Sequence, residues 1–161
     1  MKAKIRTSTK PELNGSFVYF IFSKDVIYVG ETQKISFSRW VQHFYKSGTF
    51  AKKIKSLENN YNYLEKVNLI SIELLEIREL YPAIKWKTLT QAVEHSLHIL
   101  LKKSPSLLLN SYYTNYEPEF ESFKIISDTS KTAPRYLGSS DWHFANQYSN
   151  HVLNKVIEHI T

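Results

Sequence analysis

Four side chains within residues 16–43 could do chemistry together: the phenols of Tyr19 and Tyr28, the guanidinium of Arg39 and the imidazole of His43. A phenol can exchange a proton with a bound water, a planar guanidinium can grip a phosphate through two parallel hydrogen bonds, and an imidazole carries protons near neutral pH. A fifth group, the carboxylate of Glu94, is of the type that holds a hard divalent cation through oxygen. His95 and His98 lie beside it, and Glu94 with His98 at i, i+4 spacing makes zinc a second candidate, with no third ligand evident. Together such groups could supply a base, a fixed positive charge and a metal-held charge stabiliser, the general parts of acid–base and electrostatic catalysis. A free tyrosine titrates near 10, so proton transfer at neutral pH calls for a depressed value, and nearby Lys and Arg are the expected means. Taken singly, each residue also has a plainer reading: tyrosine favours strands, and an Arg and His one turn apart are common on a solvated helix face.

The elements that must position these groups can be read from the same stretch. Residues 17–22 are β-branched and aromatic on both alternating sets and read as a strand buried on both faces. A second strand, residues 26–30, comes after Ser23, Lys24 and Asp25, a connection too short for a crossover helix, so the two pair antiparallel as a hairpin. With side chains alternating at every residue, both phenols can point to one face. After the turn Glu31 to Lys34, Ser36 can cap a helix whose apolar stripe is Phe37, Trp40, Val41 and Phe44. Arg39 and His43 then share a face beside that stripe and outside it.

Val18-Tyr19, Tyr28-Val29-Gly30, Arg39, His43 one turn later, and Glu94 in a later helix followed by Pro105 and Asn110 resemble, in that order, the signature of the GIY-YIG nucleases. The resemblance covers about residues 16–110. It implies a divalent-metal-dependent endonuclease acting on DNA, in which Tyr19 accepts a proton from the attacking water and Tyr28 orients or shares it. Arg39 would stabilise the scissile phosphate, and Glu94 would hold Mg²⁺ or Mn²⁺. His43, Gly30 and Asn110 would support them. Phe17 stands where the family has its first glycine, which leaves a catalytically silent nucleic-acid-binding module as the alternative.

Composition is consistent with these functions and excludes others. The chain has 161 residues, 42% hydrophobic and 14% aromatic, enough for one buried core. It has no cysteine, so disulfides and thiolate zinc sites are ruled out. No stretch approaches a membrane span, and no apolar region succeeds the basic N-terminus, so the expectation is a soluble, cytoplasmic protein. The net charge is +6, but residues 1–56 carry 11 Lys+Arg against 3 Asp+Glu, whereas residues 57–161 carry 10 against 12. The positive field thus gathers around the hairpin and the segment after it, where Lys34, Lys46, Lys52, Lys53 and Lys55 are interleaved with Trp40, Phe44, Tyr45 and Phe50. That combination suits phosphate contact and base stacking, and the partner expected is DNA, with RNA not distinguished from it.

Along the remainder, Lys2, Lys4 and Arg6 alternate as an edge strand or a phosphate-contacting arm. Residues 50–57 suggest a short helix, 58–66 a loop and 67–77 a third strand with apolar residues on both faces. A helix is expected from Thr88 to Lys103, another strand near residues 123–126, and a last helix capped by Asp141 with Ala145, Tyr148, Val152, Val156 and Ile160 as its stripe. The fold class is therefore α+β, a three-stranded, mainly antiparallel sheet flanked by helices. Residues 1–15 are a basic lead-in, 16–110 the core, and 111–161 an extension whose final helix either packs on that core or pairs with a second protomer as a homodimer.

Overall fold

The computed structural model describes residues 1–6, 14–23, 26–34, 36–45, 47–57, 67–104, 108, 124–128 and 133–160. The chain is α+β. Three long strands, β2 (Asn14–Ser23), β3 (Val26–Lys34) and β4 (Val67–Glu73), form an antiparallel sheet with β2 in the middle, as the hairpin argument required. Two short strands extend it at its margins. β1 (Lys4–Arg6) pairs antiparallel with β4, and β5 (Lys124–Ile125) pairs parallel with β3, so the full order is β1-β4-β2-β3-β5. The sheet thus has five strands, and the sequence expectation of three holds only for its long members.

Each face of β2 builds a separate core, which explains why its sequence is apolar at every position. On one face Tyr19, Ile21 and Val26 pack with Trp40, Phe50 and Ile54 from two short helices, α1 (Ser36–Phe44) and α2 (Thr49–Leu57). On the other, Val18, Phe20, Phe22, Ile27 and Val29 meet Leu89, Ala92, Val93 and Leu97 of the long helix α4 (Ala83–Lys103). Burying both faces of a strand in this way leaves no polar position to be exposed.

Two expectations are corrected, and one choice left open is decided. The third strand stops at Glu73, and helix α3 (Leu75–Leu80) takes over its last residues; the buried Glu73 carboxylate forms an ion pair with Arg78 across that bend. Helix α4 begins at Ala83, directly after Pro82, because proline fits ahead of the first turn where its missing N–H is not needed. Of the two alternatives for the N-terminal segment, the edge strand is found, as β1, and Lys2 just ahead of it is tied to the body. The Lys2 amide bonds Glu76, its ammonium bonds Glu79 at 2.9 Å, and Tyr148 donates to the Lys2 carbonyl.

The last helix, α5 (Ser139–Ile160), packs against α4 in its own chain. Ala145, Tyr148, Val152 and Val156 are fully buried there, and Ser149 Oγ donates to the Val93 carbonyl at 3.0 Å. The stripe considered for pairing with a second protomer is therefore already covered. The loop expected over 58–66 and the aromatic stretch 111–123 lie outside the described residues, as do Lys46, Pro105 and Asn110. No helix among the described residues is long and apolar enough to cross a membrane.

Candidate active site

Tyr19 sits at the middle of the central strand with a small residue on each side. Gly30 is its partner on β3 and Ser71 its partner on β4. A Cβ added at Gly30 would lie 2.3 Å from the Tyr19 hydroxyl and 2.4 Å from Cζ, so the ring lies across the glycine and any side chain there would have to displace it. Tyr28 pairs with Ile21 in the register and therefore shares the face of Tyr19. The two rings stack at 6.5 Å between centroids, inclined by 15°.

Helix α1 brings the imidazole. Tyr19 Oη and His43 Nε2 are 2.7 Å apart, and the His43 ring also packs against Tyr28 with centroids 4.6 Å apart. The start of the helix is pinned to the sheet by Ser36 Oγ and Ser71 Oγ at 2.6 Å. These two ties rotate α1 away from the expected orientation. Ser36, Trp40 and His43 are buried, whereas Phe37 and Val41, assigned to the inner stripe by their apolarity, are 55% and 39% exposed. His43 and Arg39 thus do not share a solvated face: His43 is inside, and Arg39 is at the surface with Nη1 donating to Gln42 Oε1 at 3.0 Å.

Glu94 comes from α4 and is buried. Although α1 and α4 lie on opposite faces of the sheet, the charges of Glu94 and Arg39 act on the same phenols, Glu94 raising the pKa of both and Arg39 lowering it. Burial is the larger influence. It holds Tyr19 far above the ordinary tyrosine value, with Tyr28 and Glu94 adding to the rise and Arg39 opposing it, and it pushes Tyr28 up to about 12. The expected depression of the phenols by local Lys and Arg is therefore reversed, because loss of water around a phenolate costs more than one surface guanidinium returns. His43 is pushed down to about 4, first by burial and then by Arg39, so it is a neutral imidazole at pH 7. The pair is then a phenol beside a neutral ring nitrogen, and the proton of the Tyr19 hydroxyl can be donated to His43 Nε2.

A second buried network fixes the distance between β3 and the Glu94 helix. The Val29 amide donates to Ser127 Oγ at 3.0 Å, Ser127 donates to His98 Nε2 at 2.5 Å, and His98 Nδ1 donates to the Glu94 carbonyl at 2.9 Å. His98 is pushed down to about 4, chiefly by burial, which keeps it neutral as this chain of donors requires. With both ring nitrogens bound within the protein, His98 is not a zinc ligand alongside Glu94. Neither Ser127 nor the inward position of His98 could be read from the sequence: Ser127 comes after an aromatic, turn-rich stretch, and a histidine three residues after another on a helix gives no hint of burial.

Next to these groups is Glu31, the residue after Gly30 on β3. Burial raises its pKa, opposed by hydrogen bonds from Gln91 and Gln33 and by the charges of Lys87 and Arg39. Of the lysines assigned to nucleic-acid contact, Lys34, Lys52 and Lys55 are exposed, and Lys53 is ion-paired to Asp128 at 3.0 Å. Asn110 and Lys46 are not among the described residues, so the site consists of Tyr19, Tyr28, Gly30, Arg39, His43 and Glu94. No cluster of three or more His, Asp or Glu side chains that could hold a metal occurs among the described residues. Comparison of the chain with models of known protein families, with curated proteins and with solved structures gives no match.

Proposed function

We propose that this chain is a divalent-metal-dependent endonuclease of the GIY-YIG type that hydrolyses phosphodiester bonds in DNA. The observation that carries the reading is the 2.7 Å contact between Tyr19 Oη and the buried, neutral His43, made possible by the absence of a side chain at Gly30. A buried tyrosine ordinarily finds some hydrogen-bond partner, as Tyr148 does in a backbone carbonyl; the partner of Tyr19 is instead a group that can carry a proton. Here a glycine on the neighbouring strand and a histidine on the helix that comes next are both committed to Tyr19.

The pair supplies a route for the proton of the attacking water. Tyr19 oxygen accepts that proton as its own passes to His43 Nε2, so a phenol with a raised pKa acts without first becoming a free phenolate. Arg39, at the surface beside the pair, offers a planar cation to the non-bridging phosphate oxygens. Tyr28, stacked on Tyr19 and packed on His43, keeps both rings in place.

The donor set at Glu94 fits magnesium or manganese. One buried carboxylate, with water and substrate phosphate to complete the shell, is how such ions are commonly held. When bound, the ion would supply charge stabilisation to the departing oxygen.

A second reading is favoured by Phe17. It stands where the family has a glycine, and its buried ring packs so tightly under Gly15 that an added Cβ there would meet it at 2.7 Å. A nucleic-acid-binding module that has lost activity would tolerate this change. Incubating supercoiled plasmid with protein and magnesium separates the two readings: the nuclease nicks it and stops on adding chelator, whereas the silent module binds without nicking. Running the same assay on structured RNA decides the nature of the nucleic acid.

A further inference from the structure

Beside the reacting pair, and bordered by Arg39 and His43 of the same site, lies a pocket of about 290 Å³. Helix α1 contributes Arg39, Gln42 and the edge of His43, and the corner into α2 contributes Tyr45, Ser47 and Thr49. The corner is built to a fixed shape. Gly48 N donates to the Tyr45 carbonyl at 2.7 Å, and a Cβ at Gly48 would fall 2.3 Å from the Gln42 carbonyl and 2.4 Å from that of His43. Only glycine lets the turn close against the end of α1, and that closure forms one wall of the pocket.

Its chemistry is that of a nucleotide subsite. The volume is at the lower end of small-molecule sites, which run from about 300 Å³ upward, so it suits a small ligand group such as a single base. None of the described residues lining it is acidic, and one is the guanidinium assigned to the scissile phosphate. Tyr45 is 64% exposed, leaving a ring face available for stacking. The Gln42 amide and the hydroxyls of Ser47 and Thr49 offer donors and acceptors of the kind that read a base edge. Within an intact duplex a base stays stacked and paired, so it reaches such a pocket only by leaving the helix.

We infer that this pocket receives the base of the nucleotide adjoining the scissile phosphate, swung out of the helix and stacked on Tyr45. The substrate class is therefore DNA in which that nucleotide is unpaired or easily extruded, as at a bulge, a mismatch or a single-stranded junction. The inference rests on the endonuclease reading for the location of the cut, and the test separates the two.

Duplexes of one sequence are prepared matched, with a single-nucleotide bulge, and with an abasic residue at the same position, and both binding in chelator and cleavage in magnesium are measured. The bulged duplex is expected to bind better than the matched one, and Tyr45→Ala to weaken bulge binding by about 5- to 150-fold, the range for one lost base stack. Binding to the abasic duplex is expected to be unchanged by Tyr45→Ala, and Tyr45→Phe to retain the preference, since stacking needs the ring and not the hydroxyl. Equal binding of matched and bulged duplexes, or an equal loss with Tyr45→Ala on all three, would overturn the inference while leaving cleavage to be judged separately. A bulge preference that depends on Tyr45 in a protein that cuts none of them would uphold the pocket and refute the nuclease.

Discussion

Gly30 lies opposite Tyr19 across the β2–β3 ladder, and the Tyr19 ring occupies the space a side chain at Gly30 would fill. The glycine thus aims the phenol at His43. Gly30→Ala is expected to displace the ring and break the 2.7 Å contact with His43. We predict a loss of cleavage of about 100-fold or more, with destabilisation of only about 1–3 kcal/mol as for other overpacked sites. Activity and thermal unfolding measured on the same preparation check this. Full activity in Gly30→Ala would mean that the ring position does not matter.

If Tyr19 and His43 move one proton between them, removing either should cost about as much as removing both. Tyr19→Phe and His43→Ala are each expected to reduce cleavage by about 100-fold or more, and the double variant to be little worse than the single ones. Arg39→Ala should show a separate loss that multiplies with these. A fully active Tyr19→Phe protein would return Tyr19 to an ordinary strand role and make Tyr28 the better candidate.

How much of this the sequence disclosed depends on the physical signal each residue leaves. The β2–β3 hairpin was legible because a three-residue connection between two apolar runs admits only one pairing. The shared face of Tyr19 and Tyr28 came from strand periodicity. The inward turn of His43 was not legible, since apolarity alone assigned Phe37 and Val41 to the core. Two polar ties, Ser36 to Ser71 and His43 to Tyr19, outweighed that preference, and hydrogen bonds between residues far apart in sequence leave no local pattern. Helix α3 was missed for a similar reason: the apolar run continues without a break from strand into helix, and the change of period is too short to register.

The two buried histidines make stability depend on pH. His43 and His98 are each near 4 in the folded protein against about 6.5 when unfolded, so the unfolded chain takes up their protons first. Stability from these groups is therefore complete above about pH 6.5 and is lost as pH falls toward 4, on the order of 2–3 kcal/mol for each histidine. Denaturant unfolding between pH 7.5 and 4.5 should show this decline, and His98→Gln should make it shallower. A stability profile that is flat over this range would contradict the neutral, buried state of both rings.

The α5 helix is expected to be indispensable for folding. Tyr148, Val152, Leu153 and Val156 are buried against α4 and the core, and at about 1.5–3 kcal/mol each their contribution is on the order of 10 kcal/mol, comparable with the whole stability of a small domain. Deletion of residues 139–161 should therefore give aggregated or unfolded protein. A folded, soluble truncation would mean that the helix serves a second protomer instead.

Nicking of supercoiled DNA by the wild-type protein and by Glu94→Gln, each with magnesium and with chelator, tests the central claim most directly. Because the amide matches the carboxylate in shape and removes a buried charge, the variant should fold and bind DNA as the wild type does. The predicted result is nicking by the wild type that chelator stops, and none by Glu94→Gln under any condition. Glu94→Gln cutting at the wild-type rate, or wild-type nicking that survives chelator, would contradict it.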